Sequence, residues 1–286
     1  MFARRSSTTR RPPRSASPRR SAPSAHALEV LDWTITDAEA AAQGERLVFA
    51  ILGDVCESTP SGSELTSLLQ RVKRMARLHE VLLVLGNHEA YDAIAPVDLF
   101  SDRVSTAWRA PLLTAVPDGP VILSIPYARR GRPPFDGLEH DGTIQGSMAA
   151  IAAEIARLVD QVVSHYHDRP TIVLGHFTIE GMAVQGTEFE VHQATEVVVP
   201  RSAFAHVGLT AVGHIHRAQD VALGIIGVGS LIRHSFAEKH DAKSYTLVSV
   251  DGGEVSWERR PVPCRDMYEY DAEWGAKGWV KELTRA

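Results

Sequence analysis

Four apolar runs along the chain are each followed at once by a glycine and then by polar residues. Short continuous apolar runs of this kind predict strands that are buried on both faces, as in parallel sheets. Because parallel strands carry their following loops to one edge of a sheet, we expect the four polar segments to meet in one crevice. The runs span residues 47–52, 81–85, 171–174 and 209–212.

Longer segments have the spacing of amphipathic helices. Apolar residues recur at helical intervals in residues 62–80 and 145–167, which predicts two helices with one face in the core. Three later runs, residues 221–228, 244–250 and 254–258, predict an antiparallel meander. With 286 residues and 44% hydrophobic content, the chain can form one well-packed α/β domain built as a two-sheet sandwich.

The polar segments contain residue types that bind divalent metals. An aspartate can bridge two cations, while neutral imidazoles and an amide oxygen complete each ligand shell without adding much charge. Mixed nitrogen and oxygen ligands suit Mn²⁺, Fe²⁺ or Zn²⁺ better than Ca²⁺. A paired metal site supports attack of water on phosphorus, so the predicted reaction is phosphoester hydrolysis. The segments are Gly53-Asp54, Gly86-Asn87-His88-Glu89, Gly175-His176 and Gly213-His214-Ile215-His216.

A single segment of this type carries little information, because a strand-to-loop turn with a satisfied polar residue explains it equally well. Four in a fixed order are more specific. Each must follow an apolar strand, and each must carry a residue that can bind metal. The combination therefore favours a metal site over four unrelated turns.

In this order the segments resemble the motifs of the calcineurin-like metallophosphoesterases, and the chain is most similar to the SbcD-type nuclease subunits of double-strand-break repair. The resemblance covers about residues 26–266, the predicted nuclease domain, and implies an α/β fold. This is a four-layer α/β/β/α sandwich of two mixed β-sheets flanked by helices. The similarity rests on Leu31-Asp32-Trp33, Ile125-Pro126-Tyr127, Leu174-Gly175-His176-Phe177-Thr178, Gly213-His214-Ile215-His216-Arg217-Ala218-Gln219, Gly229-Ser230-Leu231, Ser235-Phe236-Ala237-Glu238 and Lys243-Ser244-Tyr245.

The resemblance also implies a role for each site residue. Asp54 would bridge two metals, His216 would serve one of them, and His88 would stabilise the transition state or protonate the leaving oxygen. Glu57, where the family has an aspartate, would orient His88, although an ordinary solvated loop carboxylate explains it equally well. The remaining ligands of the other metal would be Asn87, His176 and His214.

The chain departs from the family at its front, where an Asp-x-His motif should supply two more ligands to the metal of His216. No Asp or Glu occurs before Glu29. The nearest substitutes are His26, Asp32 and Asp37, which an exposed helix face explains better. Without replacements, the metal of His216 keeps only two protein ligands, Asp54 and His216.

Residues 1–25 carry seven arginines, many serines and prolines, and no acidic residue. A segment of this composition cannot bury a core and is expected to be disordered. Three interpretations compete: a basic arm that contacts nucleic acid, an organellar transit peptide, or an N-terminus mis-specified by a wrong start or reading frame. We favour the third, because the family pattern resumes cleanly just downstream.

The charge of the chain bears on its substrate. Net charge is −5, and removing the seven arginines of residues 1–25 leaves −12, which argues against tight nonspecific binding to duplex DNA by this domain alone. A local basic cluster, an arginine beside the last motif and a later serine can still meet a phosphate backbone, although ordinary solvated loop charge explains each arginine better. These predicted phosphate or DNA contacts are Arg129, Arg130, Arg132, Arg217 and Ser230.

Residues 267–286 are predicted to be a tail or the stub of a capping domain. The resembling nucleases continue into such a domain and into a segment that binds an SMC-like, SbcC-type ATPase, and they work as dimers. Partner binding is therefore expected to be weakened or supplied by another polypeptide. Two cysteines and no apolar run long enough to span a bilayer favour a reducing cytoplasm and exclude a membrane protein.

Together these observations predict a metal-dependent DNA exonuclease that uses two divalent ions, with Mn²⁺ preferred and Fe²⁺ or Zn²⁺ as alternatives, in DNA repair, recombination or phage DNA processing. A phosphodiesterase or phosphatase that acts on small molecules is a second hypothesis. A third is a catalytically impaired scaffold with the same fold, which the missing Asp-x-His motif motivates. His88 argues against the scaffold, because a binding module has no need of a transition-state histidine.

Overall fold

The computed structural model describes residues 25–56, 60–88, 97, 101–129, 134–183 and 196–267. Its helices are α1 (Ala25–Ala41), α2 (Gly62–Met75) and α3 (Ile144–His165). Its strands are β1 (Val48–Leu52), β2 (Glu80–Val84), β3 (Val104–Ala107), β4 (Leu112–Ala115), β5 (Val121–Ile125), β6 (Thr171–Gly175), β7 (Thr178–Ile179), β8 (Val198–Val199), β9 (Leu209–Val212), β10 (Gln219–Ala222), β11 (Ile225–Gly227), β12 (Ser244–Asp251) and β13 (Glu254–Pro261).

Two sheets carry the four predicted buried strands. The first has the order β1-β2-β3 and is parallel throughout. The second has the order β10-β11-β9-β6-β5-β4, with a parallel centre from β11 to β5 and antiparallel pairs at both ends. The predicted strands thus lie side by side in two parallel pairs, β1 with β2 and β6 with β9. Their carboxyl ends lie at matching sheet edges.

The four layers follow from the alternation of side chains along each strand. In β2, Val81 and Leu83 pack toward α2, whereas Leu82 and Val84 pack against the second sheet. In β5, Ile122 faces this intersheet core and its neighbours point toward α3. Strands with two buried faces must be apolar at every position, which explains the runs of β2, β6 and β9. The prediction of a fully buried strand is wrong for β1, which lies at the edge of its sheet, is only half-buried and exposes Ala50. The predicted α/β sandwich with flanking helices is confirmed.

Helix α2 begins where local chemistry predicts and ends earlier than expected. Ser61 caps it, since its hydroxyl accepts from the backbone N–H of Glu64 while the Glu64 carboxylate accepts from the N–H of Ser61. The predicted helix over residues 62–80 was too long, because it ends at Met75. Glu80 instead begins β2, where its carboxylate pairs with Arg46 and with Arg103 at 3.3 and 3.5 Å.

The apolar run of residues 221–228 is a correction to the sequence prediction. It forms two antiparallel strands, β10 and β11, rather than one. The turn between them contains Leu223, which is almost fully exposed, and Gly224, whose φ of +72° suits glycine. The predicted pairing of the last two runs is confirmed, since β12 and β13 form a regular antiparallel ribbon from Ser244–Pro261 to Asp251–Glu254. The predicted meander of all three runs is wrong, because this ribbon is a separate sheet whereas β10 and β11 belong to the second sheet.

Residues 1–24 and 268–286 lie outside the described residues, and with them nearly all of the two predicted tails. Within the part of the chain that is described, no helix is both long enough and apolar enough to cross a bilayer.

Candidate metal centre

The four predicted polar segments follow β1, β2, β6 and β9, and the structure brings three of their side chains together. The carboxylate of Asp54 and the ring nitrogens of His176 and His214 lie within 4.8 Å of one another. They meet where the carboxyl ends of strands from both sheets converge. The sequence prediction that separate strand ends form one crevice is therefore met for these residues.

Two glycines make this close approach of the sheets possible. A Cβ on Gly213 would lie against the carbonyl oxygen of Leu52, and a Cβ on Gly53 would lie against Nδ1 of His176. Gly53 also has a φ of +85°, a conformation that favours glycine. Gly53 and Gly213 are therefore needed at these positions, because any larger residue would collide with Leu52 or His176.

The backbone of the site is itself unusual. Asp54 has a φ of +53° and His214 a φ of +77°, which non-glycine residues seldom adopt. Such conformations concentrate at functional sites, where surrounding contacts hold them in place. One of these contacts is a hydrogen bond of 3.0 Å from the backbone N–H of His88 to Oδ1 of Asp54.

His176 defines the chemistry of the centre. Its side chain is 1% exposed, and its Nδ1 lies 2.6 Å from the carbonyl oxygen of Leu52. A carbonyl can only accept, so Nδ1 carries the hydrogen. The other nitrogen, Nε2, then points its lone pair at Oδ1 of Asn87 and Oδ2 of Asp54, at 2.9 and 3.1 Å. Three acceptors that face one another at this range need a cation between them, either a proton or a metal ion.

Asn87 completes the set from the loop after β2. Its Oδ1 lies 3.0 Å from Nδ1 of His214 as well as close to Nε2 of His176. Its backbone carbonyl accepts a hydrogen bond of 3.0 Å from the guanidinium of Arg129. One carboxylate, one amide oxygen and two imidazole nitrogens therefore converge. This donor set fits a single divalent ion such as Mn²⁺, Fe²⁺ or Zn²⁺.

The charge of Asp54 suits that purpose. Burial raises the pKa of Asp54, but the hydrogen bond and charge of His176, in the form that carries a proton on Nε2 as well as on Nδ1, together with the backbone and charge of His88, outweigh burial and hold this pKa at about 2. The carboxylate is therefore ionised at neutral pH.

Behind His214 lie two residues that sequence reasoning did not place in the site. Nε2 of His214 is 3.5 Å from Oε2 of Glu196, and both side chains are at most 10% exposed. The hydroxyl of Tyr127 donates to both Glu196 oxygens at 3.1 and 3.2 Å. Burial, followed by the charge and the hydrogen bond of Glu196, raises the pKa of Tyr127. A buried carboxylate thus lies behind a candidate ligand, an arrangement that orients metal-binding imidazoles.

His216 lies outside the group of Asp54, His176 and His214. Its Nδ1 is 3.0 Å from Oε1 of Glu238, a buried carboxylate that also binds Lys243. Burial raises the pKa of Glu238, and hydrogen bonds with His216 and Lys243 more than offset this and lower it to about 2. For the second predicted ion, the described residues therefore offer no complete ligand set.

The substitutes considered for the missing Asp-x-His motif have other partners. Asp32 pairs with Arg71 at 2.6 Å, and Asp37 accepts from Tyr245 at 2.7 Å. Nε2 of His26 accepts a hydrogen bond of 3.0 Å from the backbone N–H of Arg265. These contacts tie α1 to α2 and to the segment from β12 to Arg265, so the three residues are half-buried between elements rather than on the exposed helix face that was predicted.

Of the other predicted residues, some lie near the site, one is engaged elsewhere in the protein, and others lie outside the described residues. His88 is exposed beside Asp54, and Arg129 reaches the loop of Asn87. Arg217 is exposed after the last motif. The hydroxyl of Ser230, a predicted phosphate contact, instead donates to the carbonyl of Ile232 at 2.8 Å and accepts from Lys243. Its hydrogen-bonding capacity is therefore used within the protein. Residues outside the described part of the chain are Glu57, Arg130 and Arg132.

Comparison with known proteins agrees with the geometry. The sequence matches the calcineurin-like phosphoesterase family over residues 25–218, more than half of the chain. It is also similar to the SbcD subunit of the nuclease SbcCD from Escherichia coli strain K12, with 28% identity over 263 residues. The protein of the same name from strain O157:H7 is equally similar. These alignments cover 82% of this chain but only 62% of each relative.

Proposed function

Because the chain belongs to the calcineurin-like phosphoesterase family, a family of hydrolytic enzymes, we propose that it is a metal-dependent nuclease that cleaves phosphodiester bonds of DNA. The observation that carries the proposal is the convergence of Asp54, Asn87, His176 and His214 on one point. The similarity to one subunit of a nuclease supports a nucleic acid as the substrate, and DNA is the substrate that we propose.

The residues of the centre would hold a divalent ion, with Mn²⁺ as the first choice. When bound, such an ion lowers the pKa of an attacking water and neutralises charge on the phosphate. His176 is held for this purpose by its Nδ1–H bond to Leu52, which directs the lone pair of Nε2 toward Asp54 and Asn87. A second ion would depend on Asp54 and His216 alone among the described residues, so no step is assigned to it.

His88 is proposed to act at the mouth of the site. Its backbone N–H donates to the ionised carboxylate of Asp54, and its side chain is exposed. These two observations support an imidazole near the metal ligands that is not itself a ligand. The ring would donate a proton to the leaving oxygen of the cleaved strand or stabilise charge on the phosphate.

Two arginines flank the centre and would contact the DNA backbone. Arg129 is anchored by its hydrogen bond to the carbonyl of Asn87, and Arg217 follows the last motif. Their positive charge would offset part of the repulsion expected from the net charge of −5. The relatives are named as one component of a nuclease with several, so we also propose assembly with a further polypeptide.

Metal stoichiometry measured in Mn²⁺, together with cleavage of a linear DNA duplex, tests the proposal. We expect at least one tightly bound ion per chain and degradation of the duplex. Hydrolysis of bis-p-nitrophenyl phosphate without cleavage of DNA would instead favour a small-molecule phosphodiesterase. A chain that binds no metal and hydrolyses neither substrate would contradict the proposal and favour the scaffold.

A further inference from the structure

Glu238 is a buried carboxylate with a full set of partners. The residue is 6% exposed. Its Oε1 lies 3.0 Å from Nδ1 of His216 and 3.3 Å from the hydroxyl of Ser235, which donates to it. Its Oε2 accepts from the ammonium of Lys243 at 2.7 Å and from the backbone N–H of His234 at 3.3 Å. Each oxygen therefore accepts at least two contacts, which fixes the plane of the carboxylate.

Lys243 is held just as completely. Its side chain is 1% exposed, and its ammonium has three donors. They reach Glu238, the backbone carbonyl of His216 at 3.0 Å and the hydroxyl of Ser230 at 2.9 Å. The ion pair thus contacts His216 at two points, since Glu238 contacts its ring and Lys243 donates to its backbone carbonyl.

A buried ion pair is an expensive way to stabilise a fold, because removing both charges from water costs about as much as their attraction returns. Apolar residues of similar size would fill the space at least as well. The geometry therefore points to a task other than stability. Among the partners of this pair, His216 belongs to one of the four predicted metal-binding segments and Ser230 is a predicted phosphate contact.

We propose that Glu238, held in place by Lys243, is a positioning residue that fixes the orientation and tautomer of His216. A carboxylate can only accept, so its contact with Nδ1 keeps the hydrogen on that nitrogen. The lone pair of the ring then lies on Nε2. In that tautomer His216 presents Nε2 as a ligand for a divalent ion, a role that rests on the proposed function.

Glu238 and Glu196 give the two histidines of the Gly213-His214-Ile215-His216 segment separate carboxylates. The two carboxylates reach the segment from different parts of the chain. Glu196 contacts Nε2 of His214, whereas Glu238 contacts Nδ1 of His216. The two carboxylates therefore lie beside different ring nitrogens, Nε2 in His214 and Nδ1 in His216. A simple exchange of the two histidines would not reproduce this pattern.

The test compares wild type with Glu238→Gln and with Glu254→Gln, a control at the exposed start of β13. Histidine ¹⁵N–¹H spectra of the metal-free proteins, recorded at about pH 9 so that imidazoles are neutral, report the tautomer, with His216→Gln identifying the signal. We expect His216 to carry its hydrogen on Nδ1 in wild type and in the control. In Glu238→Gln we expect a shift of the hydrogen toward Nε2.

Mn²⁺ affinity measured by calorimetry is the second readout. Loss of an orienting partner is expected to weaken Mn²⁺ binding at His216 by about 10–100-fold in Glu238→Gln, with no change in the control and none at the ion held by Asp54, Asn87, His176 and His214. Glu238→Asp serves if Glu238→Gln does not fold, because its shorter side chain keeps a charge near Lys243 but withdraws from His216. An unchanged tautomer in the folded variant would overturn the inference.

The two proposals can fail separately. A wild-type chain that binds no Mn²⁺ and cleaves no DNA contradicts the proposed nuclease, yet its metal-free spectra still show whether Glu238 sets the tautomer of His216. If wild type binds Mn²⁺ and cleaves DNA while Glu238→Gln keeps both the tautomer and the affinity, the nuclease stands and the positioning role is wrong.

Discussion

The carbonyl oxygen of Leu52, the last residue of β1, accepts a hydrogen bond of 2.6 Å from Nδ1 of His176. This bond joins the first sheet to the loop that follows β6 in the second sheet. It also decides which nitrogen of His176 can bind a cation, because the hydrogen is used on the Leu52 side. A single backbone carbonyl therefore links the packing of the sheets to the chemistry of the centre.

Asp54→Asn should reduce Mn²⁺ affinity by at least about 100-fold, since loss of a ligand should exceed the 10–100-fold effect typical of outer partners. Asp118→Asn is a close control, because Asp118 has a φ of +52° against +53° for Asp54 and lies before β5, at the opposite edge of the sheet. Calorimetry with both variants separates the loss of the ligand from any backbone effect. Equal affinities would exclude Asp54 from the metal centre.

His88→Gln should leave Mn²⁺ affinity near the wild-type value but lower the rate of DNA cleavage by at least about 100-fold, the scale of a lost acid or base. His167→Gln, an exposed histidine beyond α3, should change neither quantity. The measurement is a cleavage time course at saturating Mn²⁺. A variant that cleaves at the wild-type rate would remove His88 from the mechanism.

Glu196→Gln should weaken Mn²⁺ binding by about tenfold, because His214 loses the charged partner behind its ring. Glu139→Gln, on an exposed loop before α3, provides the comparison. Tyr127→Phe should have a smaller effect in the same direction, since it removes only a hydrogen bond to Glu196. Identical binding in wild type and Glu196→Gln would mean that the contact between Glu196 and His214 has no part in ligand orientation.

Gly213→Ala should destabilise the fold by about 3 kcal/mol, because its Cβ would overlap the carbonyl oxygen of Leu52 and force the sheets apart. Gly62→Ala, at the first position of α2 with open space around it, should be neutral or stabilise by about 0.5 kcal/mol. Urea unfolding gives both values. If the two variants unfold at the same urea concentration, the sheets do not meet at Gly213 in the way described.

Asp37→Asn should lower the free energy of unfolding by about 1 kcal/mol at pH 7, and this difference from wild type should become smaller at acid pH. The hydrogen bond from Tyr245 lowers the pKa of Asp37, burial partly opposes it, and Arg260 lowers it further. Because the pKa of Asp37 is lower in the folded chain than in the unfolded chain, its carboxylate stabilises the fold at pH values above the unfolded-state pKa. This stabilisation is lost as the pH falls through the folded-state pKa. Urea unfolding at pH 7 and below about pH 3.5 measures both ends of this range.

Asp220→Asn is the comparison for Asp37. Asp220 pairs with Arg259 at 2.7 Å but is 64% exposed, so its loss should change stability by less than Asp37→Asn at pH 7. A constant difference between wild type and Asp37→Asn across the pH range would contradict the assigned pKa shift.

Much of the centre was predictable because strand ends and metal-binding residue types coincide in the sequence. The apolar run before His176 locates a buried strand, and the parallel arrangement then places His176 beside His214. Asp54 and Asn87 follow by the same argument from the first sheet. Two of the glycines before the polar residues, Gly53 and Gly213, marked points where backbone segments approach closely.

The carboxylates behind the histidines were not predictable in the same way. Glu196 and Glu238 act through contacts between segments that are distant along the chain, and neither follows a strand end with a glycine. Glu238 belongs to a stretch that supported the family resemblance, yet nothing in that stretch shows that it contacts His216. The hairpin of β10 and β11 was not predicted because its turn contains the apolar Leu223. Gly224 is then the one residue of the turn that indicates a break between two strands.

The bond between Leu52 and His176 joins residues 124 positions apart, and the contact between Asn87 and His214 spans 127. Chains that must close such long loops fold slowly, because the loss of entropy precedes the reward of the contact. The centre is therefore complete only after both sheets have formed and docked. A metal ion that binds this assembled state and no partly folded one would stabilise the native state selectively. It would therefore raise the temperature at which the chain unfolds.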